Sequence, residues 1–324
     1  MCRRHARHRF HSRDERKVPR PNRSRRGFCS NLLLWGLGLG ALLLATHGCI
    51  GDGPRQWIED TEDHNLPTVG TRLVSLKTTN GHIQVRPANQ GAEIIEIHAI
   101  VRAGGRDQND AARCRDAIEI AMPVSGHDDS TQEITWAWRE PKQPSWSADV
   151  SFEVAMPVEL DVAAETDNGR IDVVGVLGDC QVKSDNGAIR VVAAQDRLSA
   201  ETTNGEVIVE SPAEDVNIRS TNGAVRATLT NGQNVGGTIS TTNGSVAVKL
   251  AKTAATTLEC RTVHGSVKNS LPLTEREKKT SRSAGKNRSH LKGQLAGGGA
   301  TLDVQTTNGN IDLQPYTPRD AHDD

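Results

Sequence analysis

Two aspartates occupy the same place in a recurring phrase: Asp167 within 166–169 and Asp185 within 184–187, 18 residues apart. If the phrase stacks on itself, their carboxylates fall about 5 Å apart. That is close enough to share Ca²⁺ or to raise the pKa of one of them. Arg170, Asp172 and Arg190 are near in sequence and could stand beside them. Acidic groups with Arg or Lys on a β-helix would suit a glycan-active, polysaccharide-lyase-like enzyme. Aspartate before Asn-Gly is also ordinary turn chemistry, and Thr holds that place in most other copies. The pair is therefore read as structural first, as a metal site second and as catalytic last. The eleven His show no HExxH and no zinc spacing, and P-loop, dinucleotide and G-x-S-x-G motifs are missing. The reading is thus non-enzymatic, with no catalytic residue, no cofactor and no metal beyond the candidates Asp167 and Asp185.

Two other groups could bind a ligand. Trp136, Trp138 and Trp146 cluster in sequence; they suit packing in a cap, or alternatively a platform for the apolar side of a sugar. The stretch 276–292 holds seven Lys/Arg and no acid after Glu277. It is expected to be a solvated, mobile loop, or a contact for anionic envelope polymer or lipid headgroups.

What must position these groups is the repeat itself. Asn-Gly recurs as Asn168-Gly169, Asn186-Gly187, Asn204-Gly205, Asn222-Gly223 and Asn243-Gly244, with steps of 18, 18, 18 and 21 residues. Outlying copies are Asn80-Gly81, His264-Gly265 (His in place of Asn) and Asn308-Gly309. Six and four residues before the Asn the chain is mostly apolar, as at Val162/Ala164 and Val216/Ile218; two before, it is always Ser or Thr. Three and five residues after, it is again mostly apolar, as at Ile189/Val191 and Val207/Val209. Alternation on both sides of Asn-Gly means strand, turn, strand. Gly accepts positive φ and Asn tolerates left-handed geometry, so the pair can reverse or corner the chain.

A hairpin meander and a β-solenoid both fit that pattern. A hairpin sheet needs a second layer on its apolar face, and no convincing amphipathic helix is available. A coil wraps its own apolar face inward, and its small or branched interior residues suit an interior poor in aromatics (3% of the chain). An all-β parallel β-solenoid is therefore expected, with 18–21-residue coils, each Asn amide bonding the Asn one coil away, and an N-terminal β-strand elaboration as cap.

The phrase Thr/Ser-x-Asn-Gly-x-hydrophobic-x-hydrophobic resembles the bacterial putative-adhesin family, a domain without assigned function described as β-solenoid-like. The stretch 152–160 resembles its Pro-containing lead-in strand, and 293–309 its Gly-rich closing strand and last turn. The resemblance covers about 71–315. It implies an adhesin-like surface module and is nearly silent on chemistry.

Ahead of the repeats, 1–30 carries 11 Lys/Arg against Asp14 and Glu15, and an apolar run follows at 32–44. That is the make-up of a secretory signal over 1–48, and 24–28 also resembles a twin-arginine export motif. Cys49 after Gly48 resembles a lipobox, although Thr46 and His47 depart from it; Cys49 is the expected lipid attachment. The remaining expected segments are a tether at 49–67, an N-terminal β region with the first coil at 68–159, repeats at 160–316 with a basic insertion at 274–292, and a tail at 317–324.

The formal charge of −1 hides an asymmetry. Without 1–48, 39 − 11 = 28 basic and 40 − 2 = 38 acidic residues remain, a net of −10. No global field favours nucleic acid. The expected partners are an envelope polymer, a glycan or a surface protein, and the membrane through the lipid anchor. The expected location is exported and envelope-bound, alternatively periplasmic or secreted. An envelope-stress or assembly factor that binds a partner protein along an open end of the solenoid is a further alternative. Cys180 and Cys260 lie about four coils apart, too distant for a disulfide, and are expected as small buried thiols, while Cys114 stays undetermined.

Overall fold

The computed structural model describes residues 56–122, 130–283 and 286–317. Its elements begin with β1 (Gln56–Pro67), β2 (Leu73–Asn80), β3 (Ile83–Pro87), β4 (Ile94–Gly105), α1 (Gln108–Asp116), β5 (Ile118–Ala121), β6 (Thr131–Trp138) and β7 (Ser147–Met156). The repeats supply β8 (Asp161–Asn168) and β9 (Ile171–Val174), β10 (Cys180–Ser184) and β11 (Ile189–Val192), then β12 (Arg197–Thr202) and β13 (Val207–Ser211). They continue with β14 (Asp215–Ser220), β15 (Val225–Leu229), β16 (Gly236–Asn243) and β17 (Val246–Ala251). The last are β18 (Thr256–His264), β19 (Val267–Asn269), β20 (Thr274–Ser283), β21 (Lys286–Leu295), β22 (Ala300–Asn308) and β23 (Ile311–Tyr316).

Pairing separates the two architectures. The strands on either side of each Asn-Gly never pair with each other: β8 lies in a 12-stranded sheet and β9 in an 11-stranded one. Each pairs in parallel with its counterpart one coil away, Val182 opposite Ala164 and Ala200 in one sheet, Val191 opposite Val173 and Val209 in the other. The chain is a β-solenoid with two strands per coil, and Asn-Gly is a corner between sheets.

Alternation gives each strand an inward face. Val162, Ala164, Ile171 and Val173 are buried in one coil, and Leu198, Ala200, Val207 and Val209 in another. The edge opposite the Asn-Gly corners is closed by Val176, Ala194, Ala213, Val235 and Ala254, all buried. The interior is narrow, and the space between facing sheets about 10 Å apart is filled mostly by aliphatic side chains.

The order of the coils departs from the order of the chain. β22 lies between β16 and β18, and β23 between β17 and β19. The Asn308 coil is thus inserted between the Asn243 coil and the His264 coil, instead of following the latter. Cys180 and Cys260 are consequently five strand steps apart, not four, and both are free and buried. Burial pushes each of these thiols up to about 12.

Both ends are capped. At the N-terminal end, β7, β4 and β1 extend one sheet beyond β3, and β6 and β5 extend the other beyond β2. The stretch 107–120 holds α1. Its Cys114 and Ala111 are buried, and α1 crosses β4 so closely that a Cβ on Gly105 would lie 2.3 Å from Ala111 N. The expected tether at 49–67 is corrected over 56–67, which forms β1 and pairs antiparallel with β4 along its whole length. Its composition is that of a linker because β1 is an edge strand, where acidic side chains discourage further pairing. Arg115 of α1 holds it, pairing with Asp60 at 2.9 Å and with Glu62.

Asp110 ties the cap together. Its carboxylate accepts hydrogen bonds from Arg106 N (2.9 Å), Arg113 Nη2 (3.0 Å) and Trp146 Nε1 (3.1 Å). The Arg106 amide, ahead of Ser145, Trp146 and Arg113, holds its pKa down at about 2, against 3.8 ordinarily. A depressed folded-state pKa contributes stability that is present above about 3.8 and lost as pH falls towards 2. The stability difference between wild type and Asp110→Asn is therefore expected to be largest near neutral pH and to shrink below about pH 4. Urea titrations at about pH 6, 3.5 and 2.5 check this; a gap that stays constant would show that the charge is not its source.

Candidate functional site

The Asn-Gly corners make one continuous edge, built by three stacked rows. In the first, each Asn amide donates to the Asn carbonyl of the preceding coil: Asn168 to Asn80, Asn186 to Asn168, Asn204 to Asn186, Asn222 to Asn204, Asn243 to Asn222 and Asn308 to Asn243, at 2.7–2.9 Å. Asn80 caps its end by donating to Ala148 O at 3.3 Å. His264 takes the next place, in register with Asn308.

The second row is glycine, and its reason differs from the sequence expectation. Only Gly81 among the corner glycines has positive φ (+142°). The others are required by close stacking. A Cβ built on Gly169, Gly187, Gly205, Gly223, Gly244, Gly265 or Gly309 would lie 1.8–2.0 Å from a glycine carbonyl oxygen of the adjacent coil. The same logic explains why Gly237 interrupts an apolar column: its Cβ would lie 2.0 Å from Val216 O, and its φ is +115°.

The third row was visible in the sequence but not explained by it. The Ser or Thr two residues before each Asn points inward and is buried. Its hydroxyl donates to the corner glycine carbonyl of the neighbouring coil: Ser184 to Gly169, Thr202 to Gly187 and Ser220 to Gly205 at 3.0 Å, Thr241 to Gly223 at 2.9 Å. Thr306 and Thr262 repeat this on Gly244 and Gly309. A polar residue where alternation calls for an apolar one was the signal. Burying a hydroxyl is tolerable only with such a partner.

Beside these rows runs the column one residue before Asn. Asp167 and Asp185 stand there in adjacent coils, both exposed. Among the described residues, no group of three or more His, Cys, Asp or Glu converges in a way that could hold a metal ion. Asp172 is engaged on the outer face of the other sheet, where Arg170 (3.0 Å) and Arg190 (3.2 Å) both pair with it.

The tryptophans form a chain in the N-terminal cap. Trp136 meets Trp138 edge-on at 5.4 Å, and Trp138 stacks with Trp146 at 5.9 Å. Trp146 is buried, and the other two pack partly against the core.

The basic insertion is a strand pair where a loop was expected. β20 and β21 form an antiparallel hairpin, and β21 pairs with β18, so the hairpin extends the 12-stranded sheet. Its composition suggested solvation because its inward contacts are few; Leu291 and Leu295, buried at the end of the core, anchor it. Among the described residues no helix is long and apolar enough to cross a membrane. The expected signal at 1–48 and the expected lipid-attachment residue Cys49 lie outside the described residues.

With this geometry in view, comparison with known proteins is informative. A family model for Toastrack DUF4097 matches residues 145–314, from the last strand of the cap to β23. Among solved structures the chain is similar to a putative cell adhesion protein from Clostridium sporogenes, at 11% identity and TM-score 0.34, covering 80% of this chain and 100% of that one. It is similar also to a putative adhesin from Bacteroides fragilis, at 10% identity and TM-score 0.37, covering 79% and 97%. A third, a putative adhesin from Parabacteroides distasonis, shares 7% identity with TM-score 0.33 over 78% and 97%. No curated protein matches the sequence.

Proposed function

The chain belongs to the Toastrack DUF4097 family, and from that premise we propose that it is an exported, non-enzymatic envelope or surface module that binds by display. The supporting observation is the strict register of the coils: residues at equivalent positions stand opposite one another from β8 to β16 without a slip. Side chains outside each sheet therefore form rows at about 4.8 Å spacing. Such rows match an extended partner with its own repeat, a polymer or glycan chain above all. A rigid solenoid loses little conformational freedom on binding, which lowers the cost of association. Export by the leader and attachment through Cys49 belong to the same proposal.

The test uses the purified full chain on a panel of envelope and plant-type polysaccharides, with and without Ca²⁺, following both retention and new sugar ends. Retention without product supports display. Ca²⁺-dependent product, lost in Asp185→Ala, would overturn the non-enzymatic reading and move the Asp167/Asp185 edge to a catalytic site. If neither retention nor product appears, polymers are removed as the partner and a protein is left in their place.

A further inference from the structure

We propose that the hairpin β20–β21 and the outer face of the sheet beside it form a binding groove for an acidic polysaccharide. This rests on the display reading and assigns its site. Residues from β14 through β16, β22, β18 and β21 to β20 line one open cavity of about 700 Å³. Strands that distant in the sheet can share a cavity only where the sheet curls towards its outer face. The hairpin is therefore one wall of the groove and the outer side of the coils is its floor.

The lining has one sign of charge. Arg219 and Arg261 come from the floor, Lys279, Arg288 and His290 from the wall, and no carboxylate lines it. The nearby acids stand outside: Glu259 pairs with Arg261 and lies 3.5 Å from His290 Nε2, Glu277 pairs with Lys279, and Glu201 lies 3.9 Å from Arg219. Arg288 has no acidic partner among the described residues. His290 Nε2 is buried without a formed hydrogen bond. Over 274–295 the sequence carries seven Lys/Arg against Glu275 and Glu277, 7 − 2 = +5, on a chain that is otherwise net acidic.

The remaining lining selects among anions. Thr242, Thr307, Gln305 and Thr280 supply hydroxyl and amide groups, and the lining contains no Phe, Tyr or Trp. Polar donors and acceptors beside guanidinium groups suit a polyhydroxylated chain bearing carboxylates, since Arg binds a carboxylate through two parallel bonds. A nucleic acid would find no Trp, Tyr or Phe face on which to stack successive bases. A lipid headgroup layer is flat, and these side chains line a concavity.

The experiment measures retention of the full chain on alginate, a carboxylated polysaccharide, on carboxyl-reduced alginate and on phosphatidylglycerol vesicles. The variants are the double Arg261→Gln/Arg288→Gln and, as a control on the opposite sheet, Arg226→Gln. Both groove residues are exposed, so unchanged urea midpoints are expected to confirm folding. Wild type and Arg226→Gln should bind alginate at low salt, release it at about 0.5 M NaCl because screening shortens to a few ångström, and ignore the neutral polymer. The double variant should bind at least tenfold more weakly. Equal binding by the double variant would overturn the groove while leaving display intact. Equal retention on carboxyl-reduced alginate, or retention on vesicles alone, would overturn the acidic-polysaccharide assignment. If no polymer of any kind retains the protein, polymer display falls together with the groove.

Discussion

Gly205→Ala is expected to destabilise the domain by about 3–5 kcal/mol, the upper end for a single methyl group added to a packed interior. The new Cβ would lie 1.9 Å from Gly187 O and 3.1 Å from Thr202 Oγ1. Neither neighbour is a flexible side-chain end that can swing away. The carbonyl is fixed by its place in the stack and already accepts the Thr202 hydroxyl at 3.0 Å. Relief requires the coils to separate locally, which also weakens the Asn204–Asn186 bond and the corner amide bond from Asn204 N to Asp185 O (2.8 Å). Gly91→Ala is the reference. Gly91 has φ +79° and no atom within 4 Å of its hypothetical Cβ, so it carries only the backbone term of about 1 kcal/mol. Urea denaturation of the two variants separates crowding from backbone strain. A Gly205→Ala midpoint close to that of Gly91→Ala would refute the stacking account of the repeat.

Val304→Asp is expected to cost more than about 4 kcal/mol, because it places a carboxylate without a partner in an aliphatic interior. Val304 is fully buried in β22, opposite Ile239 on one side and Cys260 on the other. The consequence is directional. In the strand order of the described residues, β18 joins the earlier strands of its sheet through β22, and the hairpin joins it through β18. Loss of β22 therefore releases β18, β20 and β21 together, while the coils from β2 to β16 keep their own neighbours. In a stack governed by nearest-neighbour contacts, that unit should open first. Hydrogen exchange is expected to show amides of β18, β21 and β22 losing protection in concert, with those of β10 and β12 nearly unchanged. Uniform loss across all coils would mean that the solenoid unfolds as one unit, contrary to this account. Thr307→Asp, on the exposed outer face three residues away, is the matched control and should shift stability by less than about 0.5 kcal/mol.

Much of this molecule is written locally. The 18-residue step, the two-residue alternation and the recurring Asn-Gly determined strand, corner, strand, and with them the inward and outward faces from Val162 to Val248. They also determined the Asn ladder, because equal spacing in sequence becomes equal height in a stack. Other features depended on contacts the sequence does not announce. Nothing local says that β22 slips between β16 and β18, since all three carry the same inward pattern and would pair in either order. Nothing local makes a strand of 56–67, whose backbone partners in β4 lie dozens of residues away and whose side chains mostly face water. The corner glycines were legible as glycines, but their reason was not: a positive φ belongs to one residue, whereas a 1.8 Å clash with the next coil exists only after stacking. The groove is the clearest case. Seven basic residues in a row of polar ones identify no site until the hairpin docks on β18 and curls Lys279 and Arg288 towards Arg219 and Arg261, which the chain supplies from separate coils. A periodic sequence fixes how one coil is made; only the tertiary structure fixes which coils are neighbours and where the stack turns on itself.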